Sequence, residues 1–76
     1  MKKKPDKKFL KALGKRIKGI RKENEMSQDQ LGFEVGIRRE QIIRIEAGSQ
    51  STGIDVLKKF ADAFDIKLPE LLDFDY

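Results

Sequence analysis

A helix start at Ser27 and a helix stop at Gly36 lie so close together that the middle of this chain has few ways to fold. Ser27 can accept the amide of Gln30 while the Gln30 side chain reaches back to Ser27. Met26 and Leu31 stand at the positions of a hydrophobic staple. Gly36 favours the left-handed conformation that ends a helix. The spacing predicts a helix over Gln28–Val35. Ile37 is the single apolar residue before the next helical pattern, Arg39–Ala47, where Ile42 and Ile45 share one face and Gly48 marks the end. Helices this short are marginal alone in water. Each must bury its apolar face against the rest of the chain.

The flanking segments supply the partners. Asp6 is a candidate N-cap, and Phe9, Leu10, Leu13, Ile17 and Ile20 recur at spacings of three and four, which predicts a helix over Lys7–Asn24. Its opposite face reads Lys8, Lys11, Lys15, Lys18 and Lys22. Gly14 and Gly19 weaken it by roughly 1 kcal/mol each relative to alanine. Such glycines mark a close backbone approach or are merely tolerated. Gly48–Gly53 is a polar loop. Ile54, Leu57, Phe60, Ala61 and Phe64 mark a fourth helix, Ile54–Phe64, and Pro69 suits the first turn of a single-turn fifth helix ending at Leu72. No alternating strand pattern is present, so the chain is expected to be all-α with five helices. At 76 residues it makes one domain. The expected boundaries are a basic flexible arm at 1–5, the domain at 6–73 and a short tail at 74–76.

Charged residues are 39% and apolar residues 38% of the chain, and neither cysteine nor histidine occurs. That removes thiolate nucleophiles, cysteine-ligated zinc and the commonest general base. No D-x-D-x-D-G loop offers a calcium site. The chain is therefore expected to be no enzyme and to need no metal or cofactor. No pattern for a small-molecule effector stands out. No apolar run approaches the ~20 residues of a bilayer span, and no export signal follows Met1. These features favour the cytoplasm and no membrane. The net charge is +4, unevenly spread: residues 1–25 hold eleven Lys/Arg against three Asp/Glu, and residues 49–76 hold three against six. A polyanion would be drawn to one side and repelled from the other. A lysine-rich front that only aids solubility is the alternative on charge alone.

Two helices joined by a glycine-containing turn form a helix-turn-helix. In that arrangement the second helix protrudes so that side chains near its start reach base edges in a major groove about 12 Å wide. The first crosses the phosphate backbone. Gln28, just inside its N-terminus, can hydrogen-bond a phosphate where the helix dipole favours an anion. On the second helix, positions 39, 40, 43 and 44 share the face opposite Ile42 and Ile45. Arg39 and Arg44 can donate two hydrogen bonds to guanine, Glu40 can accept from cytosine, and Ile43 can touch a thymine methyl. The competing reading is a solvated face carrying a Glu40–Arg44 pair.

Several segments, in order and spacing, resemble the Cro and phage-repressor type (XRE) helix-turn-helix family: Leu13-Gly14-Lys15-Arg16-Ile17, Ser27-Gln28-Asp29-Gln30-Leu31, Gly36-Ile37, Ile42-Ile43-Arg44-Ile45-Glu46-Ala47-Gly48, and Leu57 to Leu72. The resemblance covers about residues 9–72. It implies a five-helix, lambda-repressor-like DNA-binding domain, with the helix-turn-helix formed by helices 2 and 3, that dimerises on two-fold symmetric operators. It places Arg39, Glu40 and Arg44 toward bases. Gln28, Arg38, Gln41, Ser49, Gln50 and Thr52 face the DNA backbone, and Arg21 with Glu46 forms a structural ion pair. The chain departs from the family at Gly32, where alanine is typical, at Arg38, a poor N-cap, and at Thr52-Gly53, where Pro-Ser is common.

Leu68, Leu72, Phe74 and Tyr76 are more apolar than a terminus needs. They either close the monomer's core or form a dimer patch, and the dimer is preferred. The expected function is a sequence-specific, double-stranded-DNA-binding transcriptional regulator, a repressor or autoregulator acting as a homodimer. An antitoxin-like or scaffold module using the same fold would instead need an apolar recognition face, where Ile43 stands alone. Membrane attachment through the basic first helix would need Leu13, Ile17 and Ile20 free of the core.

Overall fold

A computed structural model describes residues 6–76, so the arm of Lys2, Lys3 and Lys4 lies outside the described residues. The described chain is helical, without strands: α1 spans Lys7–Glu23, α2 Gln28–Val35, α3 Arg39–Ala47, α4 Ile54–Ala63 and α5 Leu68–Leu71. Local chemistry explains the starts. Asp6 Oδ1 accepts the Phe9 amide at 3.0 Å. Ser27 Oγ accepts the Gln30 amide at 3.0 Å, and Gln30 Oε1 accepts the Ser27 amide at 2.7 Å, which closes the capping box. Gly36 and Gly48 end α2 and α3 at φ 82° and 76°, a region open to glycine at little cost.

Three helix ends differ by one residue from the sequence reading. α1 stops at Glu23, where Asn24 becomes the cap and its Nδ2 donates to the Ile20 carbonyl at 2.8 Å. α4 stops at Ala63, with Phe64 as its cap. Both turns are completed by non-glycine residues at positive φ, Glu25 and Asp65, each at 56°. α5 begins at Leu68 and ends at Leu71, because Lys67 takes the extended cap conformation and Pro69 falls at the second helical position.

Every helix gives the core at least one side chain with no solvent exposure: Ile17, Leu31, Ile42, Phe60 and Leu71. The core is thus assembled from all five elements, which is how helices of four to nine residues can persist. The C-terminal segment folds back onto α1. Arg16 donates from Nε to the Leu71 carbonyl and from Nη2 to the Glu70 carbonyl, at 3.3 and 2.8 Å. Phe9 packs against Phe74 in a tilted pair at 5.7 Å between centroids and meets Tyr76 edge-on at 5.1 Å. Leu68, Leu72 and Phe74 are half-buried against the monomer's own core, while Tyr76 remains 61% exposed.

The two helical glycines of α1 have different reasons to be there. A Cβ on Gly14 would lie 2.5 Å from the carbonyl oxygens of both Ile45 and Glu46, whereas a Cβ on Gly19 would meet nothing within 4 Å. Gly19→Ala therefore gains helix propensity without a clash. It is expected to raise the unfolding free energy by about 1 kcal/mol. Thermal denaturation followed by circular dichroism would read this as a higher Tm; a lower Tm would mean that Gly19 carries a constraint.

Candidate nucleic-acid interface

The turn between α2 and α3 is folded tightly on itself. The Gly36 and Ile37 amides both donate to the Gly32 carbonyl, at 2.8 and 2.9 Å. A Cβ on Gly32 would stand 2.7 Å from the Ile37 carbonyl oxygen. That proximity accounts for the glycine: this turn leaves no room for a methyl. Ile37, half-buried, anchors the turn to the core, so α3 leaves α2 in a fixed direction.

α3 begins at Arg39 with Arg38 as its cap. An arginine side chain has no acceptor to offer the first-turn amides. The cap is instead made from the other side, where Gln41 Oε1 accepts the Arg38 amide at 3.2 Å. Gln41 lies three residues after the cap, the position of the capping-box Gln/Glu, so this role was open to sequence reasoning and was missed. Its Nε2 remains free to donate. Ile42, Ile45 and Glu46 point inward, and Arg39, Glu40, Ile43 and Arg44 are all exposed on the opposite edge. At the far end, the Ser49 amide and hydroxyl both donate to the Arg44 carbonyl, at 3.0 and 3.2 Å. Ser49 thus closes the helix, with Gln50 and Thr52 half-buried in the loop behind it.

One buried polar network holds this unit in place. Arg21 of α1 donates from Nε and Nη2 to the two carboxylate oxygens of Glu46, at 2.6 and 3.0 Å. Its Nη1 donates to the Met26 carbonyl at 2.8 Å. Gln28 Nε2 donates to Glu46 Oε1 at 3.1 Å. Four points are thereby fixed together: α1, the α1–α2 loop, the start of α2 and the end of α3. The charges stay paired at side-chain exposures of 9% and 3%. The network also orients Gln28, whose second amide hydrogen stays available at the N-terminus of α2, where the Gln30 amide is capped by Ser27.

Arg39, Glu40, Ile43 and Arg44 come together on one uncovered edge. Gln28 lies beside its start and Ser49 beyond its end. Lys18 and Lys22 of α1 line the same groove as Gln28 and Arg39. The sequence pattern by itself places these lysines only on the outer face of α1. Leu68, Leu72, Phe74 and Tyr76 lie at the C-terminal end of the fold and are not part of this edge.

Comparison with known proteins agrees with this geometry. A family model described as helix-turn-helix matches residues 17–71. An HTH-type transcriptional regulator of Archaeoglobus fulgidus is 35% identical over 60 residues, covering 79% of this chain and 84% of the relative. The crystal structure of the restriction-modification controller protein C.AhdI from Aeromonas hydrophila superposes with a TM-score of 0.78 at 30% identity, covering 84% of this chain and 96% of that one. The biofilm regulator SinR, solved in complex with DNA, superposes with a TM-score of 0.74 at 32% identity, covering 80% and 98%.

Proposed function

This chain belongs to the helix-turn-helix family of DNA-binding transcriptional regulators, and from that premise we propose that it is a repressor or autoregulator that reads one duplex sequence as a homodimer on a two-fold symmetric operator. The observation that carries the reading is the uncovered polar edge of α3. Arg39, Glu40 and Arg44 are exposed there, covered by no loop and by no part of the C-terminal segment among the described residues. Arg39 and Arg44 supply bidentate donors for guanine, Glu40 an acceptor for cytosine, and Ile43 a surface for a thymine methyl. Gln28, Arg38, Gln41, Ser49, Gln50 and Thr52 would hold the DNA backbone on the two sides of that groove. The DNA complex of the similar regulator SinR supports duplex DNA as the partner. An antitoxin-like or scaffold use of the same edge is disfavoured, because Ile43 is its single apolar side chain.

The dimer is assigned to Leu68, Leu72, Phe74 and Tyr76. Tyr76 is exposed and the other three are half-buried; Phe74 and Tyr76 border the end of α3 at Glu46 and Ala47, and two copies would meet through the apolar parts left uncovered. Selection of bound sequences from random duplexes tests both parts at once. A pseudo-palindrome with half-sites about 34 Å apart is expected. No enrichment over input would remove sequence-specific reading, and a single asymmetric site would remove the two-fold dimer.

On the selected operator, Arg39→Ala is expected to cost about 1–3 kcal/mol of binding and to relax preference at one base pair. Titration against the operator and its point variants reads this directly. An equal loss on operator and random DNA would assign Arg39 to the backbone instead.

A further inference from the structure

Lys8, Lys11, Lys15, Lys18 and Lys22 share one face of α1 at successive spacings of three and four. All five are exposed, and none stands in an ion pair among the described residues. From Lys8 to Lys22 the row runs about 21 Å. Like charges at these spacings repel, and the pairs four residues apart destabilise the helix. α4 shows the ordinary remedy: Lys58 is paired with Asp62 one turn on, at 2.6 Å. α1 carries no carboxylate until Glu23. From the rest of the fold, Asp75 lines the groove of Lys8, Lys11 and Lys15 without pairing with any of them, so the row keeps most of its charge for an outside polyanion.

The row's position narrows which polyanion. Gly14 lies against the Ile45 and Glu46 carbonyls, and a Cβ on Gly48 would stand 2.7 Å from the Cα of Lys11. The backbones of α1 and the second half of α3 therefore touch. Lys18 and Lys22 share a groove with Gln28 and Arg39; Lys8, Lys11 and Lys15 share one with Ala47 and with the C-terminal Phe74, Asp75 and Tyr76; Lys11 also borders Ser49. The lysine row thus accompanies α3 from its first residue to its last. Packed helices lie about 8–10 Å apart. A helix at that distance from one seated in a major groove about 12 Å wide overlies the phosphate strand bordering the groove.

We propose that the lysine row of α1 is a second phosphate-binding surface, tracking the DNA strand beside the groove that α3 enters. This rests on the duplex-DNA reading above and extends it: Gln28 and the α3–α4 loop hold the ends of the recognition helix, and α1 holds its flank. Lysine–phosphate pairs of this kind set affinity and salt dependence and carry no base information.

The test compares two variants of the full chain with the same change in charge. One is Lys11→Gln, Lys15→Gln, Lys18→Gln; the other, away from the row, is Lys58→Gln, Lys59→Gln, Lys67→Gln. Dissociation constants are measured on the selected operator and on a random duplex across a salt series, after circular dichroism has shown both variants folded. The row variant should flatten the plot of log K against log salt by about 2–3, near 0.9 for each phosphate no longer neutralised by a lysine. Its loss of affinity should be equal on both duplexes. The control should move the slope by less than about 1. Equal slopes for the two variants, or an unchanged slope for the row variant, overturn the proposal while leaving the α3 reading intact. A loss confined to the operator overturns it in favour of base reading by α1. Failure of the unaltered chain to bind any duplex removes the α3 reading and this surface together.

Discussion

Glu46→Ala is expected to lower the unfolding free energy by about 3–5 kcal/mol, the cost of leaving a buried charge without its partner. A domain has only about 5–15 kcal/mol in all. Glu46 accepts from Arg21 Nε and Nη2 and from Gln28 Nε2, and nothing else in the structure takes its place. With the carboxylate gone, the Arg21 guanidinium stays largely enclosed with only the Met26 carbonyl to bind. Denaturant unfolding measures the loss. A double variant, Arg21→Met with Glu46→Leu, removes both charges and keeps apolar volume, so it should recover most of the stability, as buried pairs replaced by hydrophobic residues commonly do. It should not recover the orientation of Gln28, so DNA affinity should stay reduced. A Glu46→Ala variant within about 1 kcal/mol of the unaltered chain would mean that Arg21 finds water on its own.

Gly14→Ala is expected to cost about 3 kcal/mol, the upper part of the range for overpacking. The methyl would sit 2.5 Å from two carbonyl oxygens and 2.8 Å from the Glu46 carbonyl carbon. All three atoms are backbone at the end of α3, so no rotamer change relieves the clash. α1 and α3 must separate, which strains the Arg21–Glu46 bonds further along the same pair of helices. The same substitution at Gly19 is expected to stabilise. Equilibrium unfolding of the two alanine variants should therefore move in opposite directions from the unaltered chain. Movement in the same direction would show that the α1–α3 packing yields more readily than its geometry implies.

The opposite signs mark the boundary of what can be read from a chain. Gly14 and Gly19 occupy the same helix and carry the same local propensity. Their difference is created by what passes nearby, and that neighbour, the end of α3, is remote in sequence. The aromatic closure of Phe9 on Phe74 and Tyr76, and the Arg16 bonds to Glu70 and Leu71, are of the same kind. They join opposite ends of the described chain, and no periodicity encodes them. The one-residue shifts at the ends of α1 and α4 arise because Glu25 and Asp65 take the left-handed turn that a sequence reading reserves for glycine. The position of Gln28, as a donor to Glu46 and beside the exposed edge of α3, likewise needed coordinates to be seen.

What the chain declares without coordinates is everything written in near neighbours. The capping box at Ser27, the left-handed glycines at 36 and 48, and apolar residues every three or four positions specify five helices, a tight turn between two of them, and an outward edge of Arg39, Glu40, Ile43 and Arg44. These are short-range effects, set by hydrogen bonds and side-chain spacing within a turn or two. The tertiary structure alone decided how closely α1 lies against α3, how the buried Arg21–Glu46 pair joins α1, the α1–α2 loop, α2 and α3, and where the lysine row of α1 stands relative to α3. Those depend on side chains meeting across long stretches of sequence, where packing and burial, and not local preference, select the partner.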